Sequence, residues 1–142
     1  MAINKTPIFI DTSAFKAVVD PKDEFHTKGA ELWENLKNSN RPLVTTNYIL
    51  DESFTLIRAR CGIKTAIQFK EILAASSQVL QIKRVTVADE AGAWNWFTKE
   101  WAKLSFTDSV SFAVMERLKL SEVATFDNDF KRAGFRLVGH SK

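Results

Sequence analysis

The chain has 142 residues, of which 45% are hydrophobic and 26% are charged, and its net charge is +3. This length fits one folded domain with a core of its own, so we treat residues 1–142 as a single domain. The single cysteine, Cys61, excludes an internal disulfide framework, and no apolar run approaches the roughly 20 residues of a membrane-spanning helix.

The first residues do not resemble a secretion signal. The apolar stretch that begins at Pro7 is interrupted by Asp11, and no small-residue cleavage site follows it. A lone cysteine is also compatible with a reducing compartment. We therefore expect a cytoplasmic protein, whose slight basic excess suits a polyanionic partner without requiring one.

Apolar periodicity divides the chain into strands separated by helices. In chain order the pattern predicts strand 7–11, helix 12–19, helix 23–38, strand 43–44, helix 46–60, helix 63–75, strand 79–87, helix 88–102, helix 107–119, strand 122–126, short helix 128–132 and strand 135–138. This alternation is typical of a parallel sheet covered by helices on both faces. We therefore predict a three-layer α/β fold with a mainly parallel central sheet.

Four acids fall where such a fold gathers its functional groups. Asp11 follows the first predicted strand and Asp127 follows the fourth, and open parallel sheets bind ligands outside the carboxyl ends of their strands. Asp108 lies in the first turn of a predicted helix, and Glu52 lies in the first half of another. Clustered carboxylates repel one another and are costly to bury unpaired, so a cluster of these acids implies bound cations.

The chemistry of these acids narrows the choice of metal and reaction. Hard carboxylate oxygens without nearby histidine or cysteine ligands favour Mg²⁺ or Mn²⁺ over Zn²⁺. Such ions lower the pKa of bound water, and a pair about 4 Å apart can hold the attacking and leaving oxygens of a phosphoryl displacement. The sequence therefore predicts hydrolysis of a phosphodiester by metal-activated water.

Two of the acids also have a purely structural interpretation as helix caps. Asp11 precedes a predicted helix and can accept hydrogen bonds from its first N–H groups. Asp108 follows Ser105 by three positions, which is the spacing of a capping box. Neither residue identifies a site by itself, and the case depends on the ordered set.

The other two acids each have a neighbouring rival. Asp51 lies more squarely opposite the apolar face of its helix, whereas Glu52 lies nearer the edge of that face, and helical geometry barely separates them. Glu52 can also be a solvated helix residue. Asp127 can be a turn residue, and Asp129 competes with it. Spacing alone leaves both choices open.

Four short motifs, in a fixed order, carry a resemblance to a known family. They are IFIDTS at 8–13, TTNYILDE at 45–52, LSFTDS at 104–109 and ATFDNDF at 124–130. Together they resemble the motifs of the PIN-domain family, and within it the VapC toxins of bacterial and archaeal toxin–antitoxin pairs. The resemblance runs almost from end to end of the chain.

The resemblance selects among the acids and implies a function. The second motif ends in its acid, which favours Glu52, and the Thr-x-Asp-x-x-Phe register selects Asp127 and leaves Asp129 as an additional candidate. The resemblance implies a Rossmann-like PIN fold in which Asp11, Glu52, Asp108 and Asp127 bind Mg²⁺ or Mn²⁺ and hydrolyse RNA. It also implies a homodimer and a cognate antitoxin protein as partner.

Two hydroxyl residues beside the acids are candidates for supporting roles. We expect Ser13 and Thr107 to hydrogen-bond a carboxylate or a phosphate oxygen, with a helix cap as the alternative for Ser13. Farther along the chain, Trp94, Phe97 and Trp101 share one face of the predicted helix 88–102. We interpret that aromatic stripe as core or dimer surface rather than as a platform for RNA bases.

Other functional classes are less compatible with the sequence. A haloacid-dehalogenase-like phosphatase needs a second aspartate two positions after the first, where this chain has Ser13. A P-loop or dinucleotide-binding protein needs a glycine-rich first turn, which the segment after Asp11 lacks. The alternatives left open are a DNA nuclease of the same fold, a solitary RNA-processing nuclease and a catalytically inactive RNA-binding or scaffold module. An inactive module would be expected to have lost one or more of the acids.

Overall fold

The computed structural model describes residues 6–138. Within them lie β1 (Ile8–Ile10), α1 (Thr12–Val19), α2 (His26–Lys37), β2 (Leu43–Thr46), α3 (Asn47–Cys61), α4 (Ile63–Ala75), β3 (Leu80–Lys83), α5 (Val87–Phe97), α6 (Phe106–Leu118), β4 (Glu122–Ala124), α7 (Asp129–Arg132) and β5 (Arg136–Val138). Every predicted element is present, with shifted ends. None of the helices in this part of the chain is both long and apolar enough to cross a bilayer.

The five strands form one parallel sheet in the order β3-β2-β1-β4-β5. Strands β1 and β2 are buried at every residue, as expected where helices cover both faces. Crossovers between parallel strands are right-handed, so the reversal of strand order after β3 puts α1–α4 on one face and α5–α7 on the other. The predicted three-layer fold is confirmed.

Aromatic contacts join the helices on each face of the sheet. On one face, the Phe69 ring of α4 lies 5.2 Å from Phe15 of α1 and 4.9 Å from Phe54 of α3, measured between ring centroids. On the other face, Phe112 of α6 meets Phe130 of α7 edge to face at 4.9 Å. All but Phe54 are fully buried, so these rings form the centre of two helical layers.

The strand order reverses beside β1, and this position defines a crevice. β1 pairs with β2 on one side and with β4 on the other, with Ile10 in register with Ala124. The Asp11 N–H donates to the Ala124 carbonyl at 3.1 Å, so the chain leaves both strands side by side. Open α/β sheets bind ligands at such a switch point.

Two predicted boundaries differ because side chains bind the backbone locally. The helix predicted over 23–38 begins only at His26, since Asp23 Oδ1 accepts the Phe25 N–H at 2.8 Å and holds a turn there. The strand predicted over 79–87 ends at Lys83. Thr86 then forms a capping box with Asp89, which starts α5.

The predicted aromatic stripe is wrong. Helix α5 ends at Phe97, so Trp101 lies in the segment that follows and packs against the Phe112 ring at 6.4 Å. Trp94 is 53% exposed and contacts Phe97 and Phe106 instead. Trp94 and Trp101 therefore belong to two separate clusters, of which that of Trp101 is partly buried and that of Trp94 is open to solvent.

Candidate active-site cleft

A cleft of about 670 Å³ opens at the carboxyl ends of β1 and β4. Its lining includes Asp11, Glu52, Asp108 and Asp127, which come from the loop after β1, from α3, from α6 and from the loop after β4. Asp129 joins Asp108 and Asp127 in a group of carboxylates whose oxygens lie within 4.8 Å of one another. Folding thus brings the predicted acids together from four separate parts of the chain.

Asp11 is the most enclosed of these acids, with 2% of its surface exposed. Its Oδ2 accepts hydrogen bonds from Thr125 Oγ1 at 2.8 Å and from Ser13 Oγ at 3.1 Å, and it caps α1 through the Ser13 N–H. Its Oδ1 is buried and has no hydrogen-bond partner. A buried acceptor without a donor is destabilising, and a bound cation would satisfy it.

Asp108 has its backbone and its side chain in different environments. Ser105 is the N-cap of α6, and its Oγ accepts the Asp108 N–H at 3.0 Å. The Asp108 carboxylate lines the cleft. The local sequence therefore starts the helix and, within the same turn, directs an acid toward the carboxyl end of the sheet.

The neighbouring acids of α3 point in different directions. Glu52 lines the cleft, where its Oε1 accepts a 2.6 Å hydrogen bond from Thr12 Oγ1. Asp51 is exposed and lies in a separate depression together with Thr107. The structure therefore places Glu52, and not Asp51, beside the other acids, and it does not bring Thr107 to them.

The segment after β4 holds Asp127 in a tight turn. The Asp127 N–H donates to Thr125 Oγ1 at 3.0 Å, and its Oδ1 accepts the Asp129 N–H at 2.9 Å. Asp127 is thus a turn residue and a cleft residue at once. Asp129 belongs to the same group of carboxylates as Asp127 but does not line the cleft.

Two hydroxyl groups at the site were missed by sequence reasoning, those of Thr12 and Thr125. Thr125 Oγ1 lies 2.9 Å from Ser13 Oγ, which also accepts the Phe126 N–H at 2.9 Å. This network links the start of α1 to the loop after β4. Their positions in the sequence could have revealed them. Thr12 directly follows Asp11, and Thr125 is the first residue of the Thr-x-Asp-x-x-Phe motif.

Burial and mutual repulsion disfavour the charged forms of these acids. Burial raises the pKa of Asp11 to about 6, with further contributions from the charges of Asp127 and Glu52. Burial also raises the pKa of Asp108 to about 8, and the nearby charges of Asp11, Asp127 and Glu52 add to the effect. The pKa of Asp129 is raised by burial and by Asp127. A bound divalent cation would stabilise the charged forms and so lower these pKa values.

The donor atoms of the cleft fit a divalent cation. Its lining contains no histidine or cysteine within the described part of the chain, so carboxylate oxygens dominate the ligand set. Asp11, with its unsatisfied Oδ1, and the carboxylates of Asp108 and Asp127 are the residues that would hold such an ion. Glu52 lies close enough to affect the pKa of both Asp11 and Asp108.

The chain is similar to known nucleases over most of its length. The family model of the PIN domain matches residues 8–136. The 23S rRNA-specific endonuclease VapC20 of Mycobacterium tuberculosis is 36% identical over 130 residues, which cover 90% of this chain and 95% of that protein. The crystal structure of VapC20, described as a sarcin–ricin loop cleaving toxin, matches with a TM-score of 0.80 at 33% identity, covering 90% of this chain and 95% of VapC20.

Two more distant structures share the fold. They are FitAB bound to an IR36 DNA fragment, with a TM-score of 0.65, 15% identity and coverage of 95% and 97%, and FitAcB from Neisseria gonorrhoeae, with a TM-score of 0.60, 15% identity and coverage of 92% and 95% of the two chains. At this identity the likeness concerns architecture alone. The family match and the VapC20 relationship go further: this chain belongs to the PIN-domain family and is a homologue of VapC-type endonuclease toxins.

Proposed function

We propose that the protein is a metal-dependent endoribonuclease and the toxin of a toxin–antitoxin pair. The observation that carries this proposal is the convergence of Asp11, Glu52, Asp108 and Asp127 in one cleft, around a buried carboxylate oxygen that lacks a donor. An inactive scaffold would have no need of four unneutralised acids. The relationship to a 23S rRNA-specific endonuclease supports RNA as the substrate.

The proposed cofactor is Mg²⁺ or Mn²⁺, held by Asp11, Asp108 and Asp127, with Glu52 holding the same ion or a second one. Such an ion, when bound, lowers the pKa of a water molecule and neutralises charge on phosphoryl oxygens. Thr125 fixes the orientation of the Asp11 carboxylate by its 2.8 Å hydrogen bond. Water, rather than the ribose 2′-hydroxyl, is the expected nucleophile, so the products carry 5′-phosphate and 3′-hydroxyl ends.

The first substrate to test is the sarcin–ricin loop of 23S rRNA. VapC20 is a toxin that cleaves this loop, and the two chains are 33% identical over nearly their whole lengths. Sequence-specific RNA recognition usually targets loops whose bases are free to leave the stack. Total cellular RNA serves beside this hairpin as an unbiased substrate.

We propose two protein contacts, a homodimer and a complex with a cognate antitoxin, both in the cytoplasm. Two exposed apolar surfaces support them. On α4, Ile63 and Ile67 are 58% and 51% exposed, and on α5, Trp94 lies exposed beside Phe97. Apolar clusters of this kind commonly mark interaction sites. Light scattering of the purified protein tests the dimer directly.

The test of the proposed function is RNA cleavage with end mapping. Purified protein, Asp11→Asn and Asp108→Asn are incubated with total RNA and with a sarcin–ricin hairpin, in Mn²⁺ or in EDTA. We expect discrete new 5′-phosphate ends only with the unmodified protein and metal. The same hairpin made of DNA tests the DNA-nuclease alternative.

Two results would contradict the proposal. Products with 2′,3′-cyclic phosphate ends would exclude water as the nucleophile. RNA binding without cleavage, by folded, metal-loaded and antitoxin-free protein, would favour the binding-module alternative. Circular dichroism of the two variants shows that each has kept its fold.

A further inference from the structure

One wall of the cleft carries a stacked pair of phenylalanines. Phe25, from the connection between α1 and α2, and Phe126, from the loop after β4, both line the cleft and are both partly exposed. Their ring centroids lie 4.6 Å apart with planes inclined by only 5°. By contrast, the planes of Phe15 and Phe69 are inclined by 58°, those of Trp96 and Phe112 by 66°, and those of Phe112 and Phe135 by 31°.

The connection that carries Phe25 is held by several short bonds. The Phe25 N–H donates to Asp23 Oδ1 at 2.8 Å, and Lys16 Nζ bridges Asp20 and Asp23 at 2.8 and 2.9 Å. The next residue, His26, is joined through its Nδ1 to the Ala17 carbonyl at 2.8 Å. The backbone that carries the Phe25 ring is therefore held in place before any ligand binds, which lowers the entropy lost on binding.

Phe126 is fixed just as firmly and lies next to the acids. Its N–H donates to Ser13 Oγ at 2.9 Å, and it directly precedes Asp127. Consecutive Cα atoms are about 3.8 Å apart, so the Cα atom of Phe126 lies next to that of a proposed metal ligand. A nucleotide whose phosphate reaches the acids would bring its own base to the same wall.

We propose that Phe25, supported by Phe126, is the platform on which an unpaired base beside the scissile phosphate stacks. The inference rests on the proposed ribonuclease function and names a substrate-binding residue of that site. Every nucleobase has a flat π-face, and aromatic side chains in RNA-binding proteins use this face. A base can stack as a third layer on two parallel rings. In an edge-to-face contact, by contrast, the edge of one ring covers a face of the other.

The other exposed aromatic cluster is less suited to this role. Trp94, Phe97 and Phe106 meet one another at 53° to 89°, so their ring faces are covered by each other's edges. Phe106 also lies two positions before Asp108 on α6, which turns it by about 200° around the helix, away from the cleft. The geometry therefore favours Phe25 over this cluster.

The test is a double-mutant cycle, in which the Phe25 ring and one base of the RNA are removed separately and together. The cleavage site of the unmodified protein is first mapped in total RNA, and a short RNA with that site is made with its natural bases or with an abasic residue on either side of the cut. We expect one abasic position to lower kcat/KM of the unmodified protein about 10-fold. Phe25→Leu, which keeps an apolar side chain but has no ring, should lose about as much on the natural RNA and nothing further on the abasic RNA.

The Phe25→Trp variant completes the design, because it keeps a π-face and should therefore recover most of the kcat/KM that Phe25→Leu loses on the natural RNA, and should again lose it on the abasic RNA. Equal kcat/KM of Phe25→Leu and the unmodified protein would overturn the inference. So would a Phe25→Leu loss that is as large on the abasic RNA, since the ring would then support only the cleft. Absence of cleavage by the unmodified protein would instead refute the proposed function itself, and it differs from both of these results because no variant is needed to observe it.

Discussion

Thr12 Oγ1 donates a 2.6 Å hydrogen bond to Glu52 Oε1, and the two residues are 40 positions apart in the sequence. Thr12 is buried at the first turn of α1, directly after Asp11. The bond ties this turn to α3 and fixes the Glu52 carboxylate at the cleft. Glu52 is a proposed metal ligand, and removing a residue that orients a metal ligand typically changes the affinity for the metal.

We therefore expect Thr12→Val to raise the Mn²⁺ concentration for half-maximal RNA cleavage about 10-fold. Valine keeps the shape of threonine but cannot donate a hydrogen bond, so Glu52 loses its orientation. Thr12→Ser keeps the hydroxyl and serves as the control with a curve close to that of the unmodified protein. Identical metal titrations for all three proteins would show that the bond has no part in metal binding.

The two acids of α3 provide a second test. Glu52→Gln removes a charge from the cleft and should lower kcat/KM by at least about 10-fold, because metal binding and charge balance both depend on it. Asp51→Asn removes the same charge one residue away on the exposed side of the helix, and activity should stay within about twofold. An equal loss in both variants would point to overall charge rather than position.

When metal is absent, the pH dependence of stability should reveal the raised pKa of Asp108. Burial raises the pKa of Asp108 from 3.8 to about 8. At pH values between these two numbers, Asp108 is therefore protonated in the folded protein and ionised in the unfolded chain. The contribution of Asp108 to stability is fully present below the lower value and is lost as the pH rises toward about 8. Asp108→Asn removes this contribution, so the variant should gain stability relative to the unmodified protein on going from pH 5 to pH 8.

Thermal unfolding in EDTA at both pH values measures this difference. Comparison with the variant cancels the titration of distant acids, such as Asp89 with its lowered pKa, and leaves that of Asp108 and of the cleft acids that interact with it. A saturating divalent cation should stabilise the unmodified protein more at pH 8 than at pH 5. A difference between the proteins that does not change with pH would contradict the assignment.

Two helical glycines should respond in opposite directions to the same substitution. A Cβ on Gly29 of α2 would lie 2.7 Å from Ala17 Cβ and 3.1 Å from the Ala17 backbone, so the helices must move apart. Overpacking of this kind typically costs about 1–3 kcal/mol, which exceeds the roughly 1 kcal/mol that alanine gains over glycine in a helix. Gly29→Ala should therefore destabilise the protein.

Gly92 of α5 is the matched control. A Cβ there meets Ala113 Cβ at 3.5 Å, which is an ordinary contact. Gly92→Ala should therefore leave stability unchanged or raise it by up to about 1 kcal/mol. Urea unfolding of both variants decides the matter, and a destabilisation by Gly92→Ala equal to that by Gly29→Ala would contradict the steric argument.

Lys22 should contribute to RNA binding through charge. It is exposed at the cleft wall, and its N–H is held by Asp20 Oδ1 at 2.9 Å. In an Asp108→Asn background that does not cleave, Lys22→Ala should weaken RNA binding and reduce the slope of log K against log salt by about 0.7–0.9. Lys28→Ala, on the exposed side of α2 outside the cleft lining, should leave the slope unchanged. Fluorescence anisotropy over a salt series measures both.

The architecture was predictable because the sequence expresses it in apolar periodicity. Buried strands such as Leu43–Thr46, separated by amphipathic helices, leave few alternatives to a parallel three-layer sheet. The predicted boundaries failed where a side chain competes with the backbone for hydrogen bonds. Asp23 delays α2 and Thr86 ends the segment after β3, and such choices depend on local geometry that periodicity does not contain.

The candidate site was predictable to the extent that it lies in the motifs. The position of Asp11 follows from a strand end. Asp127 needed the family motif to separate it from Asp129, and Glu52 needed the family resemblance and then the fold to separate it from Asp51. Thr107 was expected near the acids, but one residue along a helix turns a side chain by about 100°. Phe25 falls inside the helix predicted over 23–38, because nothing in the spacing revealed the turn at Asp23.

The hydroxyl network behind the acids has a consequence for local opening. The amide protons of Phe126 and Asp127 are both held by side-chain oxygens, and the oxygen that binds Phe126 belongs to Ser13, 113 positions earlier. Loops usually exchange their amide protons by small, independent fluctuations. Here exchange at Phe126 requires a bond between the start of α1 and the loop after β4 to break. We therefore expect the amide proton of Phe126, next to the Asp127 acid, to be protected better than those of loops that lack such long-range bonds.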